Sequence, residues 1–141
     1  MKYYVDTCVY LNVIYDEKDR AGRKLGLLAE RFFAKIPSED ILSSGVVLNE
    51  LESLLPPERF SPLLAFFSQT TNVRVTRTDT ERAMWLQYRH PEISYGDALH
   101  LSLAKRLSAV LITRDKALLL VANEEGCAAG PPEAFTPDST L

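Results

Sequence analysis

Cysteine is scarce in this chain. Cys8 and Cys127 are the two present among 141 residues, and they stand far apart in no CxxC or His-paired spacing. That argues against a disulfide framework and a thiolate zinc site, and makes a reducing cytosol the simplest setting. Long hydrophobic runs are missing as well. No uncharged stretch approaches the ~20 apolar residues that a bilayer crossing needs. Met1-Lys2-Tyr3-Tyr4-Val5 runs into Asp6 too soon to be a signal peptide, so a soluble, cytoplasmic protein is expected. An excess of positive charge is also lacking: 16 Lys and Arg against 19 Asp and Glu give a net charge of −3. Bulk charge is therefore excluded as a means of holding nucleic acid, although a local basic rim is not. The six glycines form neither GxGxxG nor GxxxxGK[ST], which removes a dinucleotide-binding or P-loop enzyme. There is no internal repeat and no low-complexity tract.

What is present is an ordinary globular composition, 46% apolar and 25% charged, enough to bury one core. Short β-branched or aromatic runs alternate with longer helical periodicity. Tyr3-Tyr4-Val5, Ile41-Leu42-Ser43, Val73-Arg74-Val75 and Val110-Leu111-Ile112-Thr113 read as strands, and Gly126-Cys127-Ala128-Ala129 as a short edge strand checked by Pro131-Pro132. Leu25, Leu28, Phe32 and Ile36 recur at helical spacing, as do Val47, Leu51, Leu54 and Leu55 before Pro56-Pro57 ends the run. A short helix is expected over 62–67. Thr78-Asp79-Thr80-Glu81 reads as a capping box for a helix through Met84 and Tyr88. Another helix is expected from Asp97 to Leu107, with Leu101, Ala104 and Ser108 below Asp97 on one face. A last one runs from Lys116 to about Asn123, with Gly126 as the left-handed residue beyond it. The alternation predicts an α/β sandwich around a mainly parallel sheet, with one domain over 1–135 and a tail over 136–141. In such folds ligands sit at the carboxyl ends of the strands.

Acids stand at those ends. Asp6 follows the first strand and Asp115 the clearest one. Glu50 lies nearly two turns into the helix after the second strand, and Asp97 opens the helix feeding the clearest strand. Taken singly, Asp6, Asp97 and Asp115 fit helix N-caps, and Glu50 fits a solvated helix face. Together they would repel: two like charges about 4 Å apart cost roughly 1 to 4 kcal/mol. A hard divalent cation such as Mg²⁺ or Mn²⁺ would relieve that, because it takes carboxylate oxygens and keeps several waters. An open all-carboxylate site suits metal-assisted attack on a phosphodiester.

Four segments, Met1-Lys2-Tyr3-Tyr4-Val5-Asp6-Thr7, Val47-Leu48-Asn49-Glu50-Leu51, Gly96-Asp97-Ala98-Leu99-His100-Leu101 and Leu111-Ile112-Thr113-Arg114-Asp115, resemble in order and spacing the PIN-domain ribonucleases. The likeness is to the small single-domain members, many of them VapC-type toxins of toxin–antitoxin pairs, and it extends from Met1 to about Phe135. The resemblance implies a Rossmann-like three-layer α/β/α sandwich with a mostly parallel sheet of about five strands. It implies Mg²⁺- or Mn²⁺-dependent cleavage of single-stranded RNA, with Asp6, Glu50, Asp97 and Asp115 as catalytic and metal-binding acids. Thr7 and Thr113 match hydroxyl residues that orient carboxylates or water behind them. A cognate antitoxin and a homodimer are implied as partners, and no membrane. Cys8 departs from the family, which often has Asn or Ser there.

Other residues are weighed alongside. Arg114 and Lys116 flank Asp115 and are candidate contacts to RNA phosphates. Arg20, Arg23 and Lys24 follow Asp16-Glu17-Lys18-Asp19, too mixed in sign for a nucleic-acid patch, and read as a solvated loop and helix start. His100 shares a helix face with Asp97, but hard cations prefer oxygen, so a place behind the acids is expected. Phe32-Phe33 and Phe66-Phe67 read as core, or as a homodimer or antitoxin face. A cysteine nucleophile is disfavoured, since acids beside Cys8 oppose the thiolate. Three rivals remain: a non-catalytic RNA- or protein-binding module of the same fold, a housekeeping RNA-processing nuclease, and a phosphoacceptor signalling domain. The last lacks its adjacent acids after the first strand, where Asp6 is followed by Thr7 and Cys8.

Overall fold

The computed structural model describes residues 1–137, so most of the tail expected over 136–141 lies outside the described residues. Five short strands form one sheet in the order β3-β2-β1-β4-β5: β1 (Tyr3–Val5), β2 (Ile41–Ser44), β3 (Thr71–Val73), β4 (Val110–Ile112) and β5 (Ala129–Gly130). Every pairing is parallel. Tyr3, Tyr4 and Val5 stand opposite Val110, Leu111 and Ile112 on one side, and Tyr3 and Tyr4 opposite Ile41 and Leu42 on the other. Consecutive residues of β4 are all buried, as are Tyr4 and Val5. That requires cover on both faces of the sheet and explains why these runs read as continuous rather than alternating apolar segments. The three-layer α/β/α sandwich follows.

The connections are helical. α1 (Thr7–Ile14) and α2 (Leu25–Lys35) join β1 to β2, and α3 (Gly45–Leu54), α4 (Pro57–Phe60) and α5 (Leu63–Phe67) join β2 to β3. α6 (Arg77–Arg89) and α7 (Tyr95–Arg106) precede β4, α8 (Lys116–Glu124) follows it, and α9 (Pro132–Phe135) follows β5. The core gathers Tyr4, Phe32, Ile41, Leu51, Leu86, Leu101, Leu111 and Leu118, all fully or almost fully buried.

The chain departs locally from its sequence pattern. The third strand lies two residues earlier than Val73-Arg74-Val75, because pairing to β2 sets Val73 opposite Ser44. The helix after it is capped by Thr76, not Thr78: Thr76 Oγ1 accepts from Asp79 N, while Asp79 Oδ2 takes the Thr76 N–H. Both Thr76 and Thr78 precede acids at capping distance, and only the first leaves Asp79 inward to meet Arg106. Leu54 is exposed, so the buried stripe of α3 is Val47, Leu51 and Leu55. Pro57 does not merely end α3 but opens α4 at its first position, where a missing N–H costs nothing. Ser108 is not on the face of α7: it turns out of the helix at φ +52. Gly126 has φ +73, the left-handed conformation expected of it. Among the described residues no helix is long and apolar enough to cross a membrane.

Candidate active site

With the order β3-β2-β1-β4-β5, chain direction in the sheet reverses its progress between β1 and β4, and a crevice opens beyond their carboxyl ends. Asp6 enters it straight from β1. It holds the N-cap position of α1, yet its side chain makes no capping bond. Its Oδ2 instead accepts from Thr113 Oγ1 at 2.8 Å and from Cys8 Sγ at 3.2 Å. Thr113, the residue after β4, is itself buried and accepts from the Asp115 N–H at 3.1 Å. One hydroxyl thus ties the end of β1 to the turn carrying Asp115. Asp115 does cap its helix, through Oδ1 to Leu118 N at 3.1 Å, and remains exposed to solvent.

Asp97 sits in the first turn of α7. Ser94 Oγ accepts the Asp97 N–H at 3.1 Å, so the cap is made by the serine and the carboxyl is turned to other use. Burial raises the Asp97 carboxyl above the usual carboxylate range, and the charges of Asp6 and Asp115 push it the same way. His100 and Ser94 offset only part of this. Asp97 therefore lies within reach of the charges that follow β1 and β4.

Glu50 is attached from the other side. Its Oε1 accepts from Thr7 Oγ1 at 2.7 Å and is bonded to His100 Nε2 at 2.7 Å. His100 is wholly buried. Its Nδ1 meets Tyr4 OH at 2.8 Å, Tyr4 OH meets Ser44 Oγ at 2.7 Å, and its Nε2 is 3.5 Å from Asp6 Oδ1. Burial alone would raise Glu50, but the His100 bond and charge and the Thr7 bond bring it below the usual range. Burial alone would lower His100, and the Glu50 bond with the charges of Asp6, Glu50 and Asp97 holds it above its ordinary value. Glu50 Oε2 lies against the backbone of α7, where a Cβ on Gly96 would stand 2.8 Å from it. The glycine gives the carboxylate its room.

Thr7 and Thr113 thus stand directly behind Glu50 and Asp6. Cys8 fills its place by donating to Asp6; burial, and then the Asp6 charge, push its thiol up to about 12, which leaves it no role as a nucleophile. Arg114 turns away from the crevice. Its Nε donates to Asn12 Oδ1 at 2.9 Å and one terminal nitrogen to Glu133 Oε2 at 2.9 Å. The other terminal nitrogen is 2.8 Å from Glu133 Oε1 but off the donor direction, an ion-pair contact rather than a second hydrogen bond. Lys116 is exposed. Sequence reasoning missed Tyr4, Ser44 and Gly96, which read as strand and turn residues; only the three-residue spacing of Asp97 and His100 hinted at the buried relay.

Among the described residues no three His, Cys, Asp or Glu side chains close into a group that grips a metal ion directly. The candidate donors are carboxylate oxygens, the kind that Mg²⁺ or Mn²⁺ takes while retaining several waters. Burial first, and then the Asp6 and Asp115 charges, raise the Asp97 carboxyl, and a cation beside it would favour its ionised form. In kind, the residues fit a hard divalent ion.

Comparison with known proteins agrees with this fold. No curated protein sequence matches the chain. Among solved structures it is similar to VapC20 of Mycobacterium tuberculosis, described as a sarcin–ricin loop cleaving toxin, with 20% identity over 84% of this chain and 94% of the other and a TM-score of 0.67. It is similar to a toxin–antitoxin complex from Klebsiella pneumoniae at 16% identity, 84% and 90% coverage and a TM-score of 0.62. A third likeness is to VapBC2 of Rickettsia felis bound to a promoter DNA fragment, at 22% identity, 92% and 97% coverage and a TM-score of 0.63. The PIN domain family profile matches residues 3–124. The chain belongs to the PIN domain family.

Proposed function

We propose that this protein is a divalent-metal-dependent endoribonuclease that hydrolyses single-stranded RNA, and that it is the toxin of a type II toxin–antitoxin pair. The observation that carries the reading is the set of shared contacts that draws the acids together: His100 Nε2 is 2.7 Å from Glu50 Oε1 and 3.5 Å from Asp6 Oδ1, and Thr113 Oγ1 donates to Asp6 while accepting the Asp115 N–H. Asp6, Asp97 and Asp115, with the free Oε2 of Glu50, would hold Mg²⁺ or Mn²⁺. The ion would polarise the phosphoryl oxygen and lower the pKa of water. Water adds to phosphorus and the P–O3′ bond breaks, giving a 5′-phosphate and a 3′-hydroxyl. Thr113 keeps Asp6 in place, Thr7 and His100 keep Glu50 in place, and the buried Tyr4–Ser44 pair holds the histidine ring. Contacts of this kind fix the orientation of the carboxylates that would hold the ion.

Support for the toxin assignment comes from the printed descriptions of the structural relatives, a ribosomal-loop-cleaving toxin and toxin–antitoxin complexes. The antitoxin is a protein that covers the crevice and meets its carboxylates with a positive side chain. Exposed Met84, Trp85 and Tyr88 on α6 supply apolar surface for a homodimer. The cytosol, where thiols stay reduced, suits the free Cys8 and Cys127.

The test is incubation with unstructured and structured RNA in Mg²⁺ or Mn²⁺ against EDTA, for the wild type and Asp97→Asn. Cleavage that needs the metal and Asp97 is expected. Cleavage that survives EDTA, or an Asp97→Asn variant as fast as wild type, overturns the reading.

A further inference from the structure

The α1–α2 loop, mixed in sign along the sequence, folds against the turn that carries Asp115. Between them lies a cleft of about 570 Å³, bordered on its third side by Pro131 and by Glu133 of α9. Four cations line it, Arg20, Arg23, Arg114 and Lys116, against two acids, Asp19 and Glu133. The acids are already engaged. Asp19 Oδ2 takes Arg23 Nε at 2.7 Å, and Glu133 takes Arg114 and, at 3.6 Å, Arg23. Arg20 and Lys116 are exposed and form no ion pair among the described residues. The cleft is thus locally positive in a chain whose net charge is −3. Its remaining lining is aliphatic or small, and no aromatic ring borders it.

We propose that this cleft holds the sugar–phosphate backbone of the RNA strand beside the scissile bond, with Arg20 and Lys116 as the phosphate contacts. The proposal rests on the nuclease reading above and adds the path of the substrate to it. Arg114 and Lys116 line the cleft and flank Asp115 in the chain, so the cleft adjoins the turn that carries this acid. Arg114, held by Asn12 and Glu133, shapes the wall rather than gripping the strand. With no ring to stack on and no side-chain amide in the lining, the cleft reads charge and not base identity. Sequence choice, if the enzyme has any, must arise elsewhere.

Fluorescence anisotropy of a labelled 12-mer oligouridylate, titrated in EDTA over a range of salt, tests the cleft without cleavage. Arg20→Gln and Lys116→Gln should each weaken binding about fivefold to tenfold at ~50 mM salt, and lower the slope of log K against log salt by about 0.7. Glu133→Gln, which removes a negative charge from the cleft, should tighten binding, a change that misfolding does not mimic. Arg77→Gln, on exposed α6 and paired with Glu81, should bind as wild type does. Unchanged slopes in Arg20→Gln and Lys116→Gln overturn the proposal. So does a polyglutamate 12-mer that binds as tightly as the RNA and loses as much affinity, since that assigns the cleft to an acidic protein segment. Because cleavage is not read, failure here is distinct from failure of the nuclease reading.

Discussion

His100 Nε2 lies 2.7 Å from Glu50 Oε1, joining the middle of α7 to the helix that follows β2. The pair sets Glu50 by three contacts at once: the imidazole, the Thr7 hydroxyl and the bare backbone of Gly96. A carboxylate fixed in this way has one oxygen engaged by two partners and the other against the first turn of α7.

Gly96→Ala should therefore separate stability from activity. Gly96 is in the first turn of α7, where alanine would favour the helix by up to about 1 kcal/mol. The new Cβ would stand 2.8 Å from Glu50 Oε2, and the carboxylate must move. The expected result is a melting temperature at or above wild type with RNA cleavage clearly reduced. Equal loss of both would show that the contact serves the fold alone.

Asp97→Asn removes a charge that burial, Asp6 and Asp115 all oppose. The sign is set by the raised carboxyl: the folded state holds its proton more tightly than the unfolded state, so the ionised form weakens the fold at neutral pH. In EDTA at pH 7 the variant should melt above wild type. Its cleavage rate in Mg²⁺ should fall at least about 100-fold, the loss of a few kcal/mol of transition-state stabilisation. Thermal scans and single-turnover cleavage check the two halves independently.

Asp79 gives the opposite pH dependence. It is buried, and burial alone would raise it. Arg106 Nε at 2.8 Å and the Thr76 backbone and hydroxyl bonds outweigh that and hold the carboxyl below its ordinary value. Its contribution is present above the unfolded value of about 3.9 and is lost as pH falls through the lower folded value. Asp79→Asn should cost about 1–3 kcal/mol at pH 7, and the gap to wild type should close in strong acid. Urea melts at pH 7, 4 and 3 follow it. A gap independent of pH would contradict the ion pair.

Both thiols should resist alkylation in the folded protein. Burial and Asp6 push Cys8 up to about 12, and burial raises Cys127. Iodoacetamide at pH 8 should leave the native mass unchanged and add two groups after unfolding in guanidinium. Rapid labelling of native Cys8 would contradict its bond to Asp6.

The sheet, the order of the helices and the edge on which to look for acids were legible because they rest on local signals: apolar runs for β1 and β4, helical spacing around Phe32, and Asp after a strand. What was not legible depends on partners far off in the chain. Thr76 and Thr78 are equal as caps until Arg106 selects the inward Asp79. Arg114 looks like a free cation until Asn12 and Glu133 claim it. Arg20 and Arg23 are diluted by Asp16, Glu17 and Asp19 in sequence, and only folding sorts them into one wall. α4 and α9 are too short to carry a period, so their prolines read as breaks rather than starts.

The bond between Thr113 and Asp6 spans 107 positions of the chain. β1 is the central strand of the sheet, and during synthesis it lacks one neighbour until β4 has been made. Such distant pairing delays folding. A nascent polypeptide therefore carries Asp6 without the hydroxyl that orients it until Thr113 has been added, and the crevice cannot be complete before then.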